Sequence, residues 1–143
     1  MSNYIEAIRS NEFKIKQGSK EQLEKILNNL SGEDVYTDII ERADGTYGWL
    51  GCYGGLIGLD IEKYFADNEE LIEEYQDAEY NAMVDELQKI IDENSALILI
   101  DAGHEKLRYV GGGALIITSE TSKYIDLSKM ASETAQKLIG QDK

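Results

Sequence analysis

The 143 residues of this chain include 28 aspartates and glutamates against 14 lysines and arginines, a net charge of −14. The length predicts one domain, spanning 1–143, and a hydrophobic share of 42% is enough for a packed core, which excludes a wholly disordered acidic chain. The charge excludes nucleic acid as a direct ligand and argues against an acidic membrane surface, because both would be repelled.

The single cysteine and the N-terminal segment further limit the class of protein and its cellular location. Cys52 is the only cysteine, so neither an intramolecular disulfide nor a multi-cysteine metal site can form. The first residues lack the basic and apolar regions of a signal peptide, and no run of apolar residues is long enough to cross a membrane. We therefore expect a cytoplasmic protein without a membrane span, a metal or a cofactor.

The N-terminal half predicts alternating short elements. Residues 4–8 carry apolar side chains at helical spacing, and residues 13–15 alternate as in a brief strand. An amphipathic stripe predicts a helix over 19–30, with Ser19 as its cap. A β-like segment over 35–42 then leads through the turn pair Asp44-Gly45 into a first hairpin.

The C-terminal half predicts a long helix, a meander and a last helix. Helical spacing extends over 68–94, with Asp67 as an acidic cap. Four strand-like segments follow with short connections, one of which is a turn at Gly103-His104. The last helix is predicted over 128–139, with Ser128 as its cap and Gly140 as its C-terminal stop. The predicted fold class is α+β, an antiparallel sheet of about five or six strands with about three main helices packed against it.

Charge is concentrated in one acidic helical segment at about 60–94. Between Asp60 and Glu93 there are thirteen carboxylates and two lysines, which is −11 of the total −14. Such a field attracts a basic partner and speeds its capture, although solubility alone also favours acidic residues. The predicted partner-binding carboxylates are Glu69, Glu70, Glu73, Glu74, Asp77 and Glu79.

A glycine-rich, aromatic segment over 45–59 precedes the acidic one. It contains Tyr47, Trp49 and Tyr53, but it has the spacing of neither a phosphate-binding loop nor a dinucleotide fingerprint. One interpretation is a bulged strand in a tight sheet. The other is an exposed aromatic anchor that completes the partner-binding surface.

Two further features have weaker functional interpretations. Gly111-Gly112-Gly113 predicts either a turn between strands or a bend in one long strand. Asp101, His104 and Glu105 are the only place where the single histidine meets carboxylates locally. No catalytic motif includes them, so they support only a minor enzyme hypothesis.

These patterns predict a small acidic, non-enzymatic binding protein that inhibits a basic protein partner, which can itself be a nucleic-acid-binding protein. Small size, a low isoelectric point and no catalytic motif are also typical of immunity proteins against toxic nucleases and of inhibitors by which phages and mobile elements block host defence. The alternatives are an assembly protein that forms homo-oligomers, or an enzyme that uses Asp101, His104 and Glu105.

Overall fold

A computed structural model describes residues 4–32, 35–38, 46–47, 49–53, 56–105 and 109–140. The strands described are β1 (Tyr4–Ser10), β2 (Phe13–Lys14), β3 (Leu30–Gly32), β4 (Val35–Asp38), β5 (Thr46–Tyr47), β6 (Trp49–Tyr53), β7 (Leu56–Leu59), β8 (Leu97–Glu105), β9 (Tyr109–Ile117) and β10 (Ser122–Asp126). The helices described are α1 (Lys20–Asn28), α2 (Ile61–Tyr64), α3 (Glu69–Glu74), α4 (Glu79–Ile90) and α5 (Leu127–Gly140). The predicted turn at Asp44-Gly45 lies outside these residues.

The main sheet has six strands in the order β10-β9-β8-β1-β6-β4, and neighbouring strands are antiparallel. Strands β8, β9 and β10 form a meander, since each pairs with the next along the chain, but it has three strands where four strand-like segments are predicted. Two small ribbons, β2 with β5 and β3 with β7, lie beside it. The α+β class with an antiparallel sheet is confirmed.

The core lies between one face of this sheet and helices α1 and α4. The buried side of α1 consists of Leu23, Ile26 and Leu27, at the spacing that the sequence predicts. Along β8 and β9, alternate residues are buried against the helices. The core side chains of the sheet are Leu97, Leu99, Leu115 and Ile117. This helix-covered side is called the inner face below, and the opposite side is the outer face.

The opening segment is a strand, so the predicted helix over 4–8 is wrong. All seven residues of β1 pair with β8, from Tyr4 opposite Glu105 to Ser10 opposite Leu99. The other edge of β1 pairs with β6. Since β1 is an interior strand, long-range hydrogen bonds on both sides override its local helical spacing.

The predicted helix over 68–94 is also wrong as one element, because the segment is divided between α3 and α4. Asp77, between them, has φ 59°, a left-handed conformation that no α-helix can contain. The break lets Tyr75 stack on Phe65, with ring centroids 5.6 Å apart and planes 8° from parallel. Tertiary contacts therefore decide where this helix ends.

Two helix caps differ from those predicted. Asn68, and not Asp67, caps α3 by accepting a hydrogen bond from the Leu71 amide at 3.2 Å. Asp126 accepts from the Lys129 amide at 3.0 Å, where Ser128 was predicted to cap the last helix. Ser19 precedes α1 as expected but makes no side-chain capping bond.

Strand β8 continues through Gly103-His104, so the turn predicted there is wrong. Every residue of β8 pairs with β9, and Gly111-Gly112-Gly113 forms part of that partner strand. At Gly113 a side chain would collide with the Tyr124 ring of β10. Glycine is needed there because Tyr124 crosses this position to reach Asp101.

Candidate protein-binding surface

The helical side of the molecule contains a groove of about 560 Å³ between the start of α2 and the turn before α4. Five carboxylates line this acidic groove, and three apolar side chains lie among them. The carboxylates are those of Asp60, Glu62, Glu73, Asp77 and Glu79, and the apolar residues are Leu59, Ile61 and Ile72. The arrangement offers negative charge beside an apolar wall.

Backbone geometry at three residues shapes the acidic groove. Gly58 has φ 130°, and any side chain there would collide with the Glu79 backbone, so glycine allows α4 to begin directly on β7. Asp60 caps α2 by accepting a hydrogen bond from the Lys63 amide at 3.2 Å. The left-handed Asp77 reverses the chain before α4. Together these residues bring the two sides of the groove near each other.

Helix α3 presents its glutamates to solvent because its other side is held against the core. Leu71, Ile72 and Tyr75 pack against the buried cluster. Glu69, Glu70, Glu73 and Glu74 are all exposed. Only Glu73 among these four residues lines the acidic groove, and their part in binding a partner stays a prediction.

The remaining predicted carboxylates lie close by. Asp77 and Glu79 line the acidic groove, whereas Glu74 lines a separate cavity of about 450 Å³ between α4 and the β9–β10 edge. Asp60 and Glu62, which also line the acidic groove, are not in the predicted set because they lie at the start of α2, before the predicted long helix. Their inclusion in the dense run of carboxylates from 60 to 93 was the available signal.

Among the described residues, little positive charge neutralises the acidic groove. Lys63 lies 3.9 Å from Asp60, but its side chain is 78% exposed, so the pair is weak. In the described part of the chain, no lysine or arginine lies within ion-pair distance of Glu62, Glu73, Asp77 or Glu79. These four carboxylates remain available to an external cation.

A buried polar network beside the acidic groove has a structural role. Glu86 is only 6% exposed, accepts a hydrogen bond from the Tyr64 hydroxyl at 2.9 Å and forms an ion pair with Lys89. The Gln22 amide in turn donates to the Tyr64 hydroxyl. Burial and the bond to Glu86 raise the pKa of Tyr64. The network fastens α2 to α1 and α4.

Tyr75 connects the end of α3 to α4 in a similar way. Its hydroxyl donates to Asp85 at 2.8 Å. Burial, followed by the hydrogen bond to Asp85, raises the pKa of Tyr75 to about 12. The exposed glutamates of α3 therefore lie on a segment that is fixed in place.

The minor enzyme hypothesis requires Asp101, His104 and Glu105 to lie together, but strand β8 places them on opposite faces of the sheet. Successive strand residues face opposite sides of the sheet, so His104 is on the outer face, and Asp101 and Glu105 are on the inner face. The side chain near Asp101 is that of Tyr124, whose hydroxyl donates to Asp101 at 3.1 Å. Burial, and then Asp101, raises the pKa of Glu6 and of Tyr80.

The predicted aromatic anchor falls on β5 and β6. Tyr47 pairs with Phe13, Trp49 with Asp38 and Tyr53 with Ala7. The side chains of Tyr47, Trp49 and Tyr53 lie outside what the structure describes. Their part in binding stays a prediction.

Among the described residues, no three His, Cys, Asp or Glu side chains converge as a metal site requires. No described helix is both long enough and apolar enough to cross a membrane. Comparison with protein-family models, curated proteins and solved structures finds no match.

Proposed function

We propose that the protein binds and neutralises a basic protein partner through the acidic groove and the exposed glutamates of α3. The partner class is a protein whose own cationic surface contacts nucleic acid, with the carboxylates standing in for backbone phosphates. By this proposal the protein is an inhibitor of the immunity or anti-defence type and not an enzyme.

The acidic groove is the single observation that carries the proposal. Lysine and arginine side chains bury an apolar stem while their charged ends stay near polar groups. Ile72, which is partly exposed, and the edge of the largely buried Ile61 provide apolar contacts for such stems. The five carboxylates that surround these residues provide charge-assisted hydrogen bonds for ammonium or guanidinium groups.

The lack of internal neutralisation supports the same function. Like charges at helical spacing destabilise α3, and lysines at a few of these positions would remove that cost. Concentrated negative charge instead raises the association rate with a cationic partner, which is an advantage for an inhibitor that must act before its target does. The charge pattern favours fast binding over maximal stability.

Affinity capture with three versions of the protein tests the proposal. The first is the natural sequence. The second, the groove-neutral variant, carries Glu62→Gln, Glu73→Gln, Asp77→Asn and Glu79→Gln. The matched control removes four exposed carboxylates elsewhere through Glu21→Gln, Glu93→Gln, Glu120→Gln and Glu133→Gln. Asparagine is suitable at position 77 because it tolerates the left-handed conformation.

The natural protein and the matched control are expected to retain the same basic protein and to release it as salt rises, because screening weakens exposed ionic contacts. The groove-neutral variant is expected to lose it. Equal retention by all three versions would show that the groove carboxylates do not recognise the partner.

A further inference from the structure

The outer face of the sheet is apolar where a solvent-facing antiparallel sheet is normally polar. Ile100 and Val110 are 59% and 68% exposed. Further outer-face positions on β8 and β9 are occupied by Ile98, Ala102, Ala114 and Ile116. Beside them, along β1, a shallow groove of about 400 Å³ is lined largely by apolar atoms, including those of Ile98, Ile100 and Ala102. The face therefore has the composition of a covered surface.

Along β1, β8, β9 and β10, carboxylates are kept off this face, and Asp38 of β4, at the far edge of the sheet, is the exception among the described strands. Strands β1, β8, β9 and β10 contain four carboxylates, and the pairing register places all four on the inner face. They are Glu6, Asp101, Glu105 and Asp126. The charged or titratable residues at outer-face positions of these strands are Arg9, His104 and Lys123. Over these four strands, two copies, each with a net charge of −14, can meet without opposing carboxylates.

Helix α5 is a second uncovered apolar surface. Its apolar stripe is exposed along its whole length, with Leu127 59%, Met130 52%, Leu138 59% and Ile139 63% exposed. The helix contacts β9 and β10 of its own chain but buries none of its side chains. A helix of 14 residues is marginally stable in water unless its apolar side is packed.

We propose that the chain forms a symmetric dimer in which α5 of each copy lies on the outer face of the other. A helix on a sheet is a standard packing layer, and each copy has both an uncovered sheet and an uncovered helix. A two-fold arrangement satisfies both surfaces at once, because the contact made by one copy is repeated by its partner. The acidic groove lies on the helical side and stays free in this dimer.

The exposed apolar area approaches that of a stable dimer interface. Six side chains on the two surfaces, those of Ile100, Val110, Leu127, Met130, Leu138 and Ile139, are each more than half exposed. At roughly 100 Å² each they offer on the order of 600 Å² of apolar surface per copy. Their polar neighbours extend this toward the roughly 800 Å² per partner of a standard stable interface. The area fits a second copy of the chain and needs no foreign protein.

The dimer is tested by measuring the mass of the protein by sedimentation equilibrium at concentrations from about 1 to about 100 μM, a range in which dimers of micromolar affinity dissociate. The expected mass is twice the chain mass of 16.1 kDa. Ile100→Glu on the sheet and Leu138→Glu on the helix are each expected to weaken association at least about tenfold. The matched control is Gln136→Glu, which adds the same charge on the opposite side of α5 and should leave the dimer intact. Circular dichroism verifies that each variant folds, as expected for side chains exposed in the single copy.

A monomer at all concentrations in the natural protein overturns the proposal, and so does a dimer that resists both substitutions. Dissociation by only one of the two substitutions overturns the helix-on-sheet arrangement. None of these outcomes depends on the acidic groove, which lies on the other side of the sheet.

Discussion

Replacing the last two glutamates of α3 is expected to make the protein more stable. Within α3, three pairs of glutamates lie at helical spacing, namely 69/73, 70/74 and 70/73. The double variant Glu73→Gln and Glu74→Gln removes all three. At about 0.2–0.5 kcal/mol per like-charge pair, the free energy of unfolding should rise by about 0.6–1.5 kcal/mol at low salt. The midpoint temperature should rise by about 2–6 °C.

A second double variant separates repulsion between side chains from the effect of the helix dipole. Glu69→Gln and Glu70→Gln remove the same three pairs, but these residues are in the first turn, where negative charge is favourable. Their replacement also removes a favourable dipole contribution of about 0.3–1 kcal/mol for each of the two charges, which should cancel most or all of the gain in the free energy of unfolding. The comparison holds the number of removed charges constant.

Urea unfolding followed by circular dichroism, in 20 mM and in 500 mM NaCl, measures these effects, with the two salt levels chosen so that screening acts over roughly 20 Å and about 4 Å. The gain in the Glu73/Glu74 variant should shrink at high salt. If that variant is no more stable than the natural protein at low salt, α3 bears no electrostatic cost, and its glutamates need no functional explanation.

Three further predictions concern the residues that hold the surface in place. Tyr64→Phe should lower the free energy of unfolding, measured in urea at pH 7, by about 1.5–3 kcal/mol, because the buried carboxylate of Glu86 loses the hydrogen bond that the Tyr64 hydroxyl donates to it. A loss below about 0.5 kcal/mol would contradict the role of this network. Gly58→Ala should lower the free energy of unfolding by at least about 2 kcal/mol in the same assay, because the new side chain strains a residue with φ 130° and collides with the Glu79 backbone. The control Gly140→Ala places its side chain in open space and should leave the free energy of unfolding unchanged or raise it. Because the pKa of Tyr75 is raised from 10.0 to about 12 in the fold, the unfolded chain loses this proton first, so stability should fall as pH rises from 10 to 12. Tyr75→Phe should make that decline shallower but not abolish it, since the pKa of Tyr64 and of Tyr80 is raised as well, and an unchanged pH profile would contradict the assignment.

Local patterns predicted the elements whose own periodicity matches their burial. The stripe of α1 and the pairing of β10 with its neighbour β9 belong to this group, since adjacent segments of the chain pair with each other. Strand β1 does not, because its partner β8 lies far along the chain, and Tyr4, Ile5 and Ile8 suit either a helix or a strand. The spacing of apolar residues within β1 cannot show that this segment pairs with β8.

The division between α3 and α4 shows a second limit of periodicity. Apolar residues continue at helical spacing across Asp77, so the pattern does not reveal the left-handed turn. Tertiary contacts, among them the stacking of Tyr75 on Phe65 and its bond to Asp85, accompany the break. The acidic surface was therefore predicted as a charged segment, whereas the acidic groove, which needs Asp60 and Glu62 from α2, was not.

The most direct test of the acidic groove is a titration of the ¹⁵N-labelled protein with a short lysine- and arginine-rich peptide, followed by amide chemical shifts at low salt. The account predicts saturable shifts concentrated at Ile61, Glu62, Gln76 and Asp77, and their loss in the groove-neutral variant. Shifts spread evenly over exposed carboxylates such as Glu21, Glu93 and Glu133 would contradict it, because diffuse charge and not a formed groove would then attract the cation.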